Sequence, residues 1–240
     1  KNMDLELLVT DLAFGGKGIA KVDGFAVFVD QAVPGDRVLA RIMKKKKNYA
    51  ESRILWMLAP SEDRLEAPCP YSGVCGGCKW QHLPYELQLR YKQKQVTDNL
   101  ERIGRLTDPQ VSPVIGSHVI YKYRNKLEFT FSDRRWLTME EIRSDNDYEK
   151  EDALGFHIPG LFDKVLDIRE CHLQPEPSNL IRNAVREYAH KDRMTFFNMR
   201  EQTGFLRNMV IRNTVDGRVM VIMVFFYEDR KRREGLLDHL

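Results

Sequence analysis

Apolar and polar residues alternate in five short segments of the first 59 residues. Glycine, proline and aspartate separate these segments, as turn residues do between strands. The segments are LELLVTDLA (5–13), FGGKGIAKV (14–22), FAVFVDQAV (25–33), DRVLARIMK (36–44) and ESRILWML (51–58). Asp23-Gly24 predicts a hairpin turn, because this pair tolerates the positive φ angles that such turns require. Five short strands at near-regular spacing predict a small barrel of the oligonucleotide-binding (OB) type over residues 1–59.

Two later stretches have the pattern of helices. The first, 84–104, begins with proline and ends with glycine, and its apolar residues recur on one helical face: Leu89, Val96, Leu100 and Ile103. The second begins at Pro177 and reads PSNLIRNAVREYAHK. These stretches predict one long and one shorter helix in the region after the barrel.

The region 60–240 also contains extended segments. KLEFTFS (126–132) alternates apolar and polar residues, and two apolar runs flank Asp216-Gly217, which predicts a hairpin. Helices and strands do not alternate regularly, so this second domain is predicted to be α+β with an antiparallel sheet. The boundary between the two domains is predicted near Pro60.

Composition is that of a globular protein: 42% of the 240 residues are hydrophobic and 30% are charged. No apolar run reaches the length of about 20 residues that a membrane helix needs, and the N-terminus has no signal-peptide core. We therefore expect a cytoplasmic protein without a membrane partner. In a reducing compartment four cysteines are more consistent with metal ligation or catalysis than with disulfides.

The net charge is only +3, but the first half of the chain is basic and the second half acidic. The lysine run Lys44, Lys45, Lys46 and Lys47 lies between two predicted strands, where an exposed cationic hairpin suits a nucleic-acid backbone. Lys17 lies in a loop with Gly15, Gly16 and Gly18. A phosphate-binding loop would need a GK[ST] ending and a following helix, so a tight bend between strands is favoured there. We still count Lys17, with the lysine run, among the candidate RNA contacts.

The four cysteines form a tight triplet with one remote member. They are Cys69, Cys75, Cys78 and Cys171. Zinc sites usually have two close pairs, whereas iron–sulfur sites often have a triplet and a distant fourth thiolate, so a 4Fe–4S cluster is favoured over zinc or unligated thiols. Gly76 and Gly77 let the backbone approach a cluster. His82 and His172 are close in sequence, but four thiolates complete the set and leave them supporting or surface roles.

Several motifs together resemble one enzyme family. They are CPYSGVCGGCKWQH (69–82), YRNKLEF (123–129), LGFH (154–157) and DIRECHLQP (167–175). The chain is similar in these motifs to bacterial RNA uracil-C5 methyltransferases, in the branch that modifies 23S ribosomal RNA and carries a 4Fe–4S cluster. That resemblance extends along nearly the whole chain.

The resemblance implies a TRAM domain, an RNA-binding OB-like barrel, at 1–59 and a central iron–sulfur domain at 60–240. It places the cluster ligands on Cys69, Cys75, Cys78 and Cys171. It also implies RNA contacts by a segment comprising Tyr123, Arg124, Asn125 and Lys126.

The family's C-terminal domain, which binds S-adenosylmethionine and holds the catalytic groups, has no counterpart in these 240 residues. Methylating uracil at C5 needs a thiolate, a base and a methyl-donor site. We therefore expect this chain to be the RNA-recognition half of such an enzyme. We expect it to be a monomer that binds 23S rRNA. Without the C-terminal domain it would have no methyltransferase activity.

Two other classes fit parts of the sequence. A stand-alone RNA-binding module with a structural four-cysteine zinc site would share the basic first half and the four cysteines. A TRAM-bearing methylthiotransferase is opposed by the five-residue interval between Cys69 and Cys75, because radical-forming enzymes have three residues there, and by the N-terminal barrel.

Overall fold

The computed structural model describes residues 3–144 and 152–240. They divide into two compact units: unit 1 is Lys1–Gly73 with Cys78–His118, and unit 2 is Val74–Gly77 with Val119–Leu240. This division lies elsewhere than the predicted boundary between residues 59 and 60. Most of the chain between the barrel and residue 118 packs with the barrel, because specific long-range contacts attach it there.

The predicted barrel is confirmed in unit 1. Five strands close in the order β1-β2-β3-β5-β4, with β3 and β5 parallel and the other pairs antiparallel. The strands are β1 (Asp4–Leu12), β2 (Gly18–Val22), β3 (Phe25–Asp30), β4 (Arg37–Lys45) and β5 (Tyr49–Ala59). Asp23 and Gly24 both have positive φ, 50° and 79°, so the predicted hairpin turn between β2 and β3 is present.

Each of the five strands has buried residues at alternate positions along part of its length. The buried core comprises Leu7, Val9, Ala20, Val27, Val29, Ala32, Val38, Ala40, Ile42 and Ala50. Gly18 is required at the start of β2, because a Cβ there would lie 2.8 Å from Val9 Cγ1 and 2.9 Å from Ala32 Cβ. The glycine loop before it is a tight bend, closed by a hydrogen bond from the Ala13 N–H to the Lys17 carbonyl (2.8 Å).

A buried ion pair attaches the segment after β5 to the barrel. Asp36 is fully buried and accepts hydrogen bonds from Arg64 Nε (3.0 Å) and Nη2 (2.6 Å). The same carboxylate accepts from the Val33 and Ser61 backbone N–H groups at 2.8 and 2.9 Å. Burial alone would raise the pKa of Asp36, but the hydrogen bonds from Arg64, Val33 and Ser61 outweigh it and hold the pKa below the usual value.

The long predicted helix is present as α1 (Tyr85–Arg102), and it belongs to unit 1. Leu87 and Tyr91 pack against a small cluster of Leu12, Val33 and Leu83. Polar groups of the same helix also contact the barrel: Lys94 Nζ pairs with Asp11 Oδ2 (2.8 Å), and Gln95 Nε2 donates to the Ala13 carbonyl (3.1 Å). Of the four apolar residues that predicted the helix, Leu89 and Leu100 are half-buried, whereas Val96 and Ile103 are 48% and 78% exposed, so only part of the predicted apolar face is packed.

Unit 2 is built on a five-stranded antiparallel sheet, as predicted. The strand order is β10-β9-β6-β7-β8. The strands are β6 (Lys126–Ser132), β7 (Ala153–His157), β8 (Val165–Asp167), β9 (Leu206–Asn213) and β10 (Val219–Phe225). The Asp216-Gly217 turn joins β9 and β10. Helices α2 (Met139–Arg143), α3 (Ser178–Lys191) and α4 (Arg230–His239) complete the unit.

One face of this sheet is buried, and the other is exposed along β10 and at the start of β6. Arg186 of α3 donates through Nη2 to the backbone carbonyls of Leu154 and Ile168 (2.9 and 2.6 Å), which holds the helix against β7 and the end of β8. On β10, Met220, Ile222 and Val224 alternate with less exposed neighbours and face outward. Among the described residues, no helix has the length and apolarity needed to cross a membrane.

Candidate nucleic-acid interface

The lysine run lies at an exposed hairpin end of the barrel, as predicted. Lys44 and Lys45 end β4, and Lys46 and Lys47 lie in the connection to β5. All four side chains are exposed, and none forms an ion pair with another residue in the part of the chain that the structure describes. Four ammonium groups within one turn create a local cationic field that attracts phosphates.

Lys17 is different from these four lysines. Its Nζ lies 3.1 Å from Asp30 Oδ1 and 3.2 Å from Glu51 Oε2. Burial lowers the pKa of Lys17, but its bonds to Asp30 and Glu51 outweigh burial and leave the pKa above its usual value. Lys17 thus forms ion pairs with both β3 and β5, which neutralise its charge. This geometry gives no support to its predicted RNA contact.

In unit 2 the predicted segment from Tyr123 to Lys126 leads into β6. The Arg124 N–H donates to the Leu173 carbonyl (2.8 Å), and the Asn125 carbonyl accepts from the Asn213 N–H (3.0 Å). The backbone is therefore held at both positions. The four side chains are exposed, so the fixed backbone presents a tyrosine and two cations to solvent.

Arg212 joins this surface, although no sequence motif points to it. Lys126 and Arg212 are direct partners in the β6–β9 register, and the side chain of each is on the open face of the sheet. Met220 on β10 is the next partner of Arg212. We call Tyr123, Arg124, Lys126 and Arg212 the unit 2 basic surface. Only the strand register could reveal Arg212, because it lies far along the chain from Lys126.

Two of the predicted metal ligands, Cys69 and Cys78, belong to unit 1. The Cys69 N–H donates to Gln81 Oε1 (3.3 Å), and its carbonyl accepts from the Ser72 N–H (3.0 Å). Both cysteines are half-buried.

The other two, Cys75 and Cys171, belong to unit 2. The Gly77 N–H donates to Cys75 Sγ (3.4 Å), the kind of amide–sulfur contact that iron–sulfur sites use. The Cys171 N–H donates to Asn179 Oδ1 (2.9 Å) in the first turn of α3.

Four thiols are a suitable donor set for a 4Fe–4S cluster or for zinc. Across residues 3–144 and 152–240, no three or more His, Cys, Asp or Glu side chains are placed to hold a metal ion. The four-cysteine ligand set therefore stays a prediction from sequence.

His82 lies in the protein interior, whereas His172 is half-buried. His82 is buried in unit 1, and this burial, aided by the Arg64 charge, lowers its pKa from 6.5 to about 4 despite the opposing effect of Asp36. It is neutral at physiological pH. In unit 2, His172 makes an edge contact with Tyr121 at 6.2 Å between ring centroids and lies 3.5 Å from a Glu170 oxygen.

Comparison with known proteins assigns the barrel to a domain family. Residues 4–55 match the family model of the TRAM domain. An uncharacterized RNA methyltransferase of Porphyromonas gingivalis is 49% identical over 95% of this chain and 50% of its own length. One of Bacteroides thetaiotaomicron is 53% identical over 89% of this chain and 47% of its own length. The chain thus spans about half the length of these relatives.

The fold has a solved counterpart. The crystal structure of Pyrococcus abyssi tRNA (uracil-54, C5)-methyltransferase, in complex with S-adenosyl-L-homocysteine, matches with a TM-score of 0.65 and 23% sequence identity. The match covers 98% of this chain and 48% of that one. At this identity the likeness concerns the fold. The N-terminal five-stranded barrel is therefore a TRAM domain, and the chain as a whole is similar to about half of several bacterial proteins named RNA methyltransferases.

Proposed function

We propose that this chain is the RNA-recognition part of an S-adenosylmethionine-dependent RNA uracil-C5 methyltransferase. The observation that carries the proposal is the exposed lysine run on a TRAM barrel, Lys44 to Lys47, which offers four solvent-facing cations at one turn. The names of the relatives and the fold likeness to a uracil-C5 methyltransferase support the same conclusion.

The proposed role follows from the chemistry of the target base. A uracil stacked in folded RNA exposes neither face to an attacking group, so it must be unstacked before C5 can be methylated. The lysine run and the unit 2 basic surface would bind phosphates and fix the register of the RNA, since phosphate contacts position a strand without reading its sequence. Exposed Tyr123 offers a ring on which a displaced base can stack.

The methyl donor and the catalytic groups are proposed to lie outside these 240 residues. S-adenosylmethionine would supply the methyl group when bound there. In this proposal the chain alone binds RNA but transfers no methyl group. The more specific target, 23S rRNA, is a part of the proposal that rests on the sequence resemblance. The monomeric state and the cytoplasmic location are also parts of the proposal.

A 4Fe–4S cluster on Cys69, Cys75, Cys78 and Cys171 is also part of the proposal. Its support is the spacing of the cysteines and the amide–sulfur contact at Cys75. Since methyl transfer is redox neutral, we assign the cluster a structural role. Anaerobically purified chain should contain about four irons and absorb at ~400 nm. Colourless protein with one zinc per chain would favour the stand-alone zinc module instead.

The RNA-binding proposal is tested by a salt titration of the full chain with fluorescently labelled single-stranded RNA. The logarithm of the binding constant should fall linearly with the logarithm of the salt concentration, by about 0.7 per phosphate contacted. Changing Lys44 to Lys47 together to glutamine should reduce that slope by roughly 3 if all four contact phosphates. Lys17→Gln is the matched control, and its slope should stay unchanged because this ammonium is already paired.

Methyl transfer is measured in the same samples with radiolabelled S-adenosylmethionine. RNA binding without incorporation is the expected result. Binding that does not depend on salt would refute the RNA-recognition role, and methyl transfer by this chain alone would refute the proposed division of labour.

A further inference from the structure

One end of the barrel in unit 1 contains an apolar cavity of about 450 Å³. That volume lies within the range of small-ligand sites, and the mouths of β-barrels are a common place for such sites. The walls are formed by the core residues nearest this end: Leu5, Val22, Phe25, Val27, Ile42 and Ala50. Val27, Ile42 and Ala50 are buried at its base, while Phe25 is half-buried near the rim.

The rim of the cavity joins the lysine run. Lys45 Nζ lies 5.7 Å from the centre of the Phe25 ring, in a cation–π contact that holds the ammonium over the opening. Lys45 pairs with Ala50 in the β4–β5 register, so its neighbours Lys46 and Lys47 follow directly in the turn. An aromatic ring beside a cationic turn is the combination by which proteins bind single-stranded nucleic acid.

The other rim residues are compatible with a flat, partly polar occupant. Met3 is exposed and unbranched, so it can adapt to a ring that enters the cavity. Asp23 lies in the β2–β3 turn and contributes a carboxylate that can accept a hydrogen bond from a base N–H. A fully apolar ligand would gain nothing from Asp23 or from the lysines, whereas a base attached to a phosphate uses both the apolar wall and the cations.

We propose that the barrel mouth is a nucleobase pocket, which takes one unstacked base of single-stranded RNA against Phe25 while Lys45 and its neighbours hold the adjacent phosphates. This inference rests on the proposed RNA-binding function and extends it by naming a base-binding site on the TRAM barrel.

The test compares the full chain with Phe25→Ala in binding to short oligouridine and to an abasic RNA of the same length. Loss of one base–aromatic stack should weaken oligouridine binding by roughly 5- to 150-fold. The salt slope should stay the same, because the phosphate contacts remain. Binding of the abasic RNA should hardly change, and Phe25→Tyr should restore binding of oligouridine.

Phe14→Ala is the matched control, since Phe14 is 85% exposed and lies in the β1–β2 turn outside the cavity. Its affinity should equal that of the unmodified chain. Equal losses for the two alanine variants, or an unchanged affinity of Phe25→Ala, would overturn the pocket while leaving salt-dependent RNA binding intact. If the unmodified chain binds no RNA, the proposed function itself fails.

A second measurement uses only the unmodified chain, so it does not require that a variant folds. Methyl NMR signals of Val22, Val27 and Ile42 should shift when oligouridine is added to the unmodified chain, and much less with the abasic RNA. Equal shifts with both RNAs, or no shifts, would refute base insertion. Shifts that depend on protein concentration in the absence of RNA would show that a second copy of the chain occupies the barrel mouth. That result would also refute base insertion.

Discussion

Replacing Asp36 by alanine is expected to destabilise unit 1 by about 3 kcal/mol or more. Its carboxylate is fully buried and accepts four hydrogen bonds, two of them from Arg64. Removing one partner of a buried ion pair costs about 3–5 kcal/mol, because the other charge is left without compensation. The Arg64 side chain is 22% exposed, so water can partly replace the carboxylate, and we expect the lower end of that range.

Hydrogen exchange with increasing urea is the suitable assay, because a chain with two compact units need not unfold in one transition. Peptides that contain the Val33 and Ser61 amides should lose protection at lower urea in Asp36→Ala, and peptides of unit 2 should not change. Asp4→Ala is the matched control. Asp4 also binds an arginine through two bonds, to Arg41 at 2.7 and 2.8 Å, but this pair is on the surface.

The control variant should not differ measurably from the unmodified chain, because water and salt screen an exposed pair. If Asp36→Ala and Asp4→Ala lower protection equally, burial does not give the Asp36–Arg64 pair its strength. If Asp36→Ala leaves the Ser61 amide protected, the segment after β5 is attached by other contacts, and the reasoning from the ion pair is wrong.

Three further changes test other parts of the structure. The pKa of His82 is about 4 in the folded chain and 6.5 ordinarily. The unfolded chain therefore binds the proton at a higher pH than the folded chain does. About 2–3 kcal/mol of folding stability should be lost as pH falls from 6.5 to 4. His82→Gln should remove that part of the pH dependence in urea unfolding; an identical pH profile would contradict it. Gly204→Ala should destabilise unit 2 by over about 1 kcal/mol, since its φ is +104° and a Cβ would overlap the Phe196 carbonyl oxygen. Gly160→Ala, with φ +77° and open space, should cost less, and equal melting temperatures would exclude the clash. Cys171→Ser should lower the iron content of anaerobically purified chain, and unchanged iron per chain would argue against the proposed ligand set.

The elements that the sequence predicts well are those with a local signal. The strands of the barrel are predicted by the alternation of apolar and polar residues and by the turn residues. The Asp23-Gly24 hairpin is predicted because it depends only on the φ angles of these two residues. The helix α1 is predicted by its ends and its apolar spacing. Its packed face is predicted only in part, because Lys94 and Gln95 also attach the helix through polar bonds to Asp11 and Ala13.

Features that depend on distant pairs could not be predicted. The attachment of the segment after β5 to the barrel depends on pairs such as Asp36 with Arg64, and a single charge pair leaves no periodic pattern in sequence. The same reason applies to Arg212, since only the register of β9 brings it beside Lys126. Phe25 at the start of a strand is indistinguishable from an ordinary core residue until the open end of the barrel is known.

The two sheets differ in how they end, and this difference affects the behaviour of the protein in solution. The barrel closes on itself and leaves no unpaired edge among its described strands. In the described part of unit 2, β10 pairs only with β9, so the other side of VMVIMVF has free backbone donors and acceptors. An uncharged, β-prone strand at a free edge can add a strand from another molecule. Aggregation of the chain should therefore proceed through the free edge of β10 and not through the strands of the barrel.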